Sequence, residues 1–410
     1  MNKTNARFTL AAMAAMALAS AAQAATTITV DSVVQRWPWN NKLDITYTVN
    51  DGQDVSASNF KRIVFTAVIG GETYVIDGVT DVGASANTGT HTVTWTAPSG
   101  VLDANCTMTA AVYAADAPSG DDYLVIDLST GAKSYEGLLA TQADSNARYN
   151  VATYKTTKMV LRKVAAGGTY PTGDNANYAS RNSARTWTTD RDYYMGVFPV
   201  TQDQYARIGA DAGDAPSTRT WNATGNNKAH RPVENVTWDD LRLSTTASTS
   251  SIPATTSATS GTFFQRLNFK TGLYFDLPTI VMYEIAARAG ATTVYFWGDT
   301  WDNTKVVCGA NSGNCTFAVG SKDPNNWGLY DVSGNTWDWC LDDYTTEVNM
   351  ATYADPFTPF HVQDSTRKNL RGGEGYGSNN QNNFRASIIS DSGHATKSNN
   401  VGFRVALVVE

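Results

Sequence analysis

Histidine and cysteine are scarce in this chain: four of each in 410 residues. His91, His230, His361 and His394 are scattered and share no ligand spacing, so a metal centre built on three histidines is excluded. The cysteines are Cys106, Cys308, Cys315 and Cys340, and none occurs between Leu341 and Glu410. They form no zinc pattern, because neither a second close pair nor a histidine cluster accompanies Cys308 and Cys315. Basic runs are missing too. No five consecutive Lys or Arg occur and the net charge is -7, which excludes a nucleic-acid partner. Beyond the N-terminus no stretch reaches the ~18 consecutive apolar residues of a membrane span. No G-x-S-x-G, P-loop or H-E-x-x-H motif points to a common enzyme class.

What is present begins with a leader. Lys3 and Arg7 precede a short apolar run from Leu10 to Ala19, and Ala22-Gln23-Ala24 offers small residues for cleavage. Residues 1–24 are expected to be a signal peptide. The protein is then exported, to be periplasmic, secreted or attached to a cell surface. An oxidising destination allows a disulfide, and Cys308 and Cys315, bracketing a Gly/Asn loop, are the expected pair. Cys106 reads as a small buried apolar residue.

Residues 25–150 are β-rich. Ile28–Val30, Leu43–Val49, Arg62–Ile69, Thr73–Ile76, His91–Trp95, Thr107–Tyr113 and Tyr123–Leu128 alternate apolar and polar side chains, with turn residues between them. Short strands at this spacing predict an all-β immunoglobulin-like sandwich. Arg36-Trp37-Pro38-Trp39-Asn40 reads as a packed corner.

A different text runs from about 155 to 410. Trp327-Gly328-Leu329-Tyr330-Asp331-Val332-Ser333-Gly334-Asn335-Thr336-Trp337-Asp338-Trp339-Cys340 is followed by Leu370-Arg371-Gly372-Gly373 and Gly402-Phe403-Arg404-Val405. Ahead of them stand Lys158–Val164, Tyr193–Tyr205, Arg231–Asp240, Leu277-Pro278-Thr279 with Tyr283–Gly290, and Tyr295–Asp299. These blocks, in this order, resemble the formylglycine-generating enzyme (sulfatase-modifying factor) family, whose α+β domain is a variant of the C-type lectin fold. Within them Thr201 and Thr237 are expected to cap helices. Ser244–Gly261, almost entirely Ser, Thr and Ala, reads as a surface insertion. Ile280-Val281-Met282-Tyr283 departs from the acidic, Trp-containing helix start usual in the family, and implies altered packing there.

The resemblance also says where chemistry belongs. The family's oxidase holds copper with two thiolates, the soft ligands that Cu(I) selects. Those positions fall near Gly377 and Gln381, so neither copper nor formylglycine-generating oxidation is expected. The resemblance further implies a structural calcium ion, held by the Asp331 and Asp338 carboxylates and the Gly334 and Thr336 carbonyls.

Residues 374–400 are rich in Asn, Ser and Gly, and they lie between two framework blocks. That arrangement resembles the variable proteins of diversity-generating retroelements, which diversify ligand-contacting positions near the C-terminal end of such a domain. Substituting the adenines of an Asn codon yields Ser, Ile, Asp, Gly, His, Tyr, Thr or Ala, and these residues dominate the segment; Glu374, Gln381 and Lys397 are exceptions. A long loop between rigid strands is where binding usually resides. The expected function is therefore non-catalytic binding of a protein or glycan. Tyr376, Ile389 and His394 would be anchors, with Ser378, Asn379, Asn380, Asn382, Ser387, Asp391 and Asn399 as hydrogen-bonding partners. The alternatives are a fixed structural or binding module, or an oxidoreductase of the formylglycine-generating type.

Overall fold

In Leu43-Asp44-Ile45-Thr46-Tyr47-Thr48-Val49 every second side chain is apolar, and an extended backbone sends these to one face. In a computed structural model of the protein all four of these apolar residues are fully buried. The structure describes residues 27–36, 41–50, 61–70, 72–77, 85, 88–97, 106–114, 121–174, 183–208, 228–242, 261–344, 353–362, 365–373, 375 and 377–409. The expected leader, Trp37–Asn40, residues 244–260, Glu374 and Tyr376 lie outside the described residues, as does the side chain of Cys106. The chain divides into two units, residues 1–119 with 151–153, and 120–150 with 154–410.

The first unit is mostly β. Strands β1 (Thr27–Gln35), β2 (Lys42–Asn50) and β5 (Gly89–Thr96) form one antiparallel sheet in the order β1-β2-β5. Strands β3 (Lys61–Ile69), β4 (Glu72–Asp77) and β6 (Cys106–Ala114) form another, in the order β4-β3-β6. One apolar cluster joins the sheets, from Leu43, Ile45 and Tyr47 on β2 to Ile63, Phe65 and Ala67 on β3. The Tyr47 and Phe65 rings meet edge-on at 5.2 Å. Thr46 and Thr48 of β2 instead pair their hydroxyls with Thr92 and Thr90 on the opposite face.

The seventh expected strand belongs elsewhere. Strand β7 (Tyr123–Asp127) lies between β8 (Lys133–Glu136) and β9 (Lys158–Val164) in the second unit. Tyr123, Leu124, Val125 and Ile126 are all buried, because this strand is covered on both faces. The first unit therefore ends near residue 119, not 150, and the second begins at 120 rather than 155. Helix α1 (Gln142–Tyr149), opened by a Thr141–Asp144 capping box, also belongs to the second unit.

A short ribbon, β10 (Thr169–Thr172) with β11 (Arg185–Thr188), precedes β12 (Tyr193–Gly196). Helix α2 (Gln202–Ile208) starts at Thr201, whose Oγ1 accepts from Gln204 N at 3.1 Å while its own N–H donates to Gln204 Oε1 at 3.0 Å. Thr237 and Asp240 repeat this device ahead of α3 (Trp238–Arg242). Helices α4 (Phe263–Thr271) and α5 (Ile280–Arg288) follow. Strand β13 (Trp337–Asp343) is buried along its whole length, antiparallel to β14 (Arg367–Arg371) on one side. On its other side it runs parallel to β16 (Val401–Gly402), and β15 (Ser390–Gly393) extends the sheet beyond β14. Strand β17 (Ala406–Val408) returns to β12 and completes a five-stranded sheet in the order β17-β12-β9-β7-β8. The segment between β14 and β16 is thus held at both ends by core strands.

Candidate functional site

Three buried ion pairs, centred on Asp338 and Glu284, hold the framework between which this segment runs. Arg404 is 1% exposed and donates through Nε to Asp338 Oδ2 at 2.8 Å. Its other nitrogens reach the carbonyls of Gly196, Tyr330 and Asp331 at 2.9–3.0 Å. Tyr283 donates to the same Asp338 oxygen at 3.0 Å, and this is where the departure at α5 finds its role. The adjacent Glu284, fully buried, accepts from Arg371 Nη2 at 2.9 Å, Arg288 Nε at 2.8 Å and Gly173 N at 2.6 Å. Buried charges persist only when paired in this way.

Three of the four expected calcium ligands meet protein donors, through Asp331 Oδ2, Asp338 Oδ2 and the Gly334 carbonyl, while Asp338 Oδ1 is buried without a hydrogen-bond partner among the described residues. The Arg404 guanidinium bridges Asp338 to the Asp331 carbonyl, so a fixed positive charge already stands between the two loops. Asp331 Oδ2 accepts from Gly320 N at 2.7 Å, and the Gly334 carbonyl accepts from Thr336 N at 2.9 Å. Burial pushes the Asp331 carboxyl up to about 6, against the Gly320 hydrogen bond and the Arg404 charge. Gly334 has a structural task instead: its φ is +84°, and a Cβ there would collide with the Val307 carbonyl.

The expected disulfide is not formed in this structure. Cys308 and Cys315 are separate buried thiols in different surroundings. Cys308 packs with Tyr295, Val306 and Phe384. Cys315 Sγ faces the Ser312 carbonyl at 3.2 Å. Asn311 sets this loop, accepting from Cys308 N and donating to the Asn303 and Val306 carbonyls. Cys340 is fully buried and burial pushes its thiol well up, so it is not a ready thiolate.

In the C-terminal segment, anchored residues alternate with outward ones. Gly375 lies so close to Asn335 that a Cβ would collide with its carbonyl. The Ser378 carbonyl accepts from Gly309 N at 2.9 Å. Asn380 caps the short 3-10 turn Gln381–Phe384, accepting from Asn382 N at 3.1 Å. Phe384 is fully buried, and its carbonyl accepts from Ser333 Oγ at 3.0 Å. Arg385 pairs with Asp174, and Arg371 Nη1 donates to the Ile388 carbonyl at 3.0 Å. Between these anchors Asn379, Asn380 and Gln381 are exposed, and Ser378 and Asn382 are half-buried.

Two expected contact residues are corrected. Ser387 and Ile389 are 4% and 6% exposed, because the turn after Phe384 folds them inward to meet β15. Asp391 and His394 are only partly open. Asp391 pairs with Arg367, and His394 Nδ1 sits 2.7 Å from Asp239 Oδ2, fastening the segment to α3. Asn399 is half-buried in the turn before β16, while Ala395, Thr396 and Lys397 are exposed. The sequence reading missed the aromatic group beside the Gln381–Phe384 turn. Tyr295 and Trp297 stack at 4.7 Å, Trp301 meets Phe384 at 5.1 Å, and Tyr295 OH reaches the Gln381 carbonyl at 3.4 Å. The aromatic density of 295–301 was its visible signal; its nearness to 381–384 arises only on folding.

The sulfatase-modifying factor enzyme 1-like domain family matches residues 148–409. The formylglycine-generating enzyme of Thermomonospora curvata is 33% identical over 115 residues, 24% of this chain and 37% of that protein. That of Streptomyces coelicolor is 32% identical over 146 residues, 32% of this chain and 46% of that protein. The chain thus spans less than half the length of these curated relatives. Among solved structures, Treponema denticola variable protein 1 matches with a TM-score of 0.49 at 21% identity, over 61% of this chain and 95% of that one. With buried Trp337–Asp343, the Arg404–Asp338 pair and the closing β17 all built from the blocks that carry the resemblance, the chain belongs to the sulfatase-modifying factor enzyme 1-like domain family.

Proposed function

We propose that the protein is an exported, non-catalytic binding protein that presents its 377–400 surface on a sulfatase-modifying factor scaffold, with the first unit an immunoglobulin-like spacer or docking module. The carrying observation is the turn at 377–383. Where the family resemblance expects two reactive thiols, near Gly377 and Gln381, the chain has glycine and an exposed amide among further exposed amides. Without thiolates that turn cannot hold copper as the family does. The described thiols, Cys308, Cys315 and Cys340, are buried away from solvent. The partner is a protein or glycan, and no helix among the described residues is long and apolar enough to cross a membrane.

The segment also has the composition of adenine-directed diversification. Burial of Ser387 and Ile389 narrows variation to the outward positions Ser378, Asn379, Asn380 and Asn382, and the 391–399 stretch. Deep sequencing of the gene's 3′ end across a natural population, with its flanking DNA, tests this. Substitutions clustered at those codons, beside a near-copy repeat and a reverse transcriptase gene, are expected. An invariant segment with no repeat would leave a fixed binding module. Oxidation of a cysteine peptide by the purified protein with copper would overturn the non-catalytic reading.

A further inference from the structure

We infer that the ligand of this surface is an uncharged carbohydrate, held by the amides of Asn379, Gln381 and Asn382 beside the Phe296–Trp297–Trp301 aromatics. The inference rests on the binding reading above and names the chemistry of the ligand. From Gly377 to Asn383 there is no ionisable side chain, and five consecutive residues, Asn379 to Asn383, carry amides. Asn380 is committed to its own turn and Asn383 Nδ2 to Ser378 Oγ at 3.3 Å. The side-chain amides of Asn379, Gln381 and Asn382 make no hydrogen bond among the described residues. Each amide offers two donors and an acceptor, the complement of two neighbouring hydroxyls on a sugar ring.

The aromatic group supplies the other half of such a site. Phe384, Val306 and Cys308 are fully buried beneath it, whereas Phe296, Trp297 and Trp301 stay partly open. Phe296 stands edge-on to Trp297 at 4.8 Å, so the rings brace one another. An indole offers an apolar face and one N–H, and here Trp297 Nε1 is taken by the Thr300 carbonyl at 3.1 Å. The partly open rings therefore present hydrocarbon surface, which suits the C–H face of a sugar. The charged side chains within 295–302 are Asp299 and Asp302, and the basic groups beside them are already paired, Lys305 with Asp323 and Arg385 with Asp174. Asp299 accepts from Val294 N at 3.0 Å and Asp302 from Thr304 N at 2.9 Å. Their charge repels uronates and sialylated chains and selects neutral sugars.

The test is a printed array of neutral and acidic oligosaccharides probed with the whole protein. A retained neutral oligosaccharide is then titrated against wild type, Gln381→Ala and Asn382→Ala. Because neither side chain has a hydrogen-bond partner among the described residues, both variants should keep the wild-type Tm. Retention of neutral sugars is expected, with at least a tenfold affinity loss in one variant and a shift in Trp emission on binding. Retention of acidic sugars alone, of no sugar, or of a neutral sugar with affinity unchanged in both variants would overturn the inference. If instead a protein ligand is bound and lost in these same variants, the glycan assignment falls while the binding reading stands.

Discussion

Arg404 decides what ties the central loops together. It is buried with Asp338, and four hydrogen bonds from its guanidinium reach that carboxylate and the carbonyls of Gly196, Tyr330 and Asp331. Removing one partner of such a pair leaves an uncompensated buried charge, which costs about 3–5 kcal/mol. Arg404→Met should therefore lower the urea midpoint steeply, and Asp338→Asn should recover less than a fully apolar replacement of the pair. If the guanidinium holds these loops, thermal unfolding in EDTA and in millimolar calcium should give the same Tm. A calcium-dependent rise would restore the metal reading. The Gly-Asn-x-Trp block disclosed that this neighbourhood is framework. It did not disclose that Asp338 faces an arginine 66 residues later. Partner choice across that distance is set by the sheet, not by any local pattern. Asp343 makes a second case. Burial opposes its ionisation, but His361, Lys368 and the Val362 N–H outweigh burial and hold the carboxyl below its ordinary range. A depressed folded value means stability that is present above the unfolded carboxylate pKa of ~3.9 and lost as pH falls through the folded one. Wild type should exceed Asp343→Asn in stability at neutral pH, and the two should converge only in strong acid.

Helix starts were the most readable elements, because a cap is a contact between residues three apart. Thr201 and Thr237 stand out ahead of apolar helices, and both form reciprocal pairs with the residue three further on. Thr201 does more than cap, since its Oγ1 also donates to the Lys155 carbonyl at 2.6 Å. Thr201→Ala removes both bonds at a fully buried position, so its cost should exceed the ~1 kcal/mol of an ordinary cap. Thr237, whose hydroxyl makes no such second bond among the described residues, should lose about that amount on replacement by Ala. Urea unfolding of the two variants compares them directly; equal losses would show that the Lys155 bond contributes nothing. The C-terminal segment was legible in composition and not in phase. Asn-rich text announces a polar turn, but Ile389 and Ser387 look identical in sequence to outward residues. Their burial follows from Phe384 and the Arg371–Ile388 hydrogen bond pulling that stretch under β14.

Strand β7 shows why the division between units could not be placed from the sequence. Its alternation marks a strand, yet period-two patterning does not say which sheet receives it. Leu124 pairs with Leu161 of β9, and Val125 pairs with Ser134 of β8, so the strand sits inside the five-stranded sheet. A fragment starting at residue 155 would leave β9 without this neighbour. It would strip a row of ladder hydrogen bonds and uncover Leu161 and Met159, which are buried here. An unpaired apolar strand edge is a template for aggregation. A fragment starting at residue 120 keeps β7, β8 and α1, and with them the whole sheet and its core. The 120–410 fragment should therefore be soluble and unfold in one cooperative transition, while the 155–410 fragment should precipitate or bind ANS. Cooperative unfolding of the shorter fragment at an unchanged Tm would mean that β7 is an added edge and that the boundary belongs where sequence alone puts it.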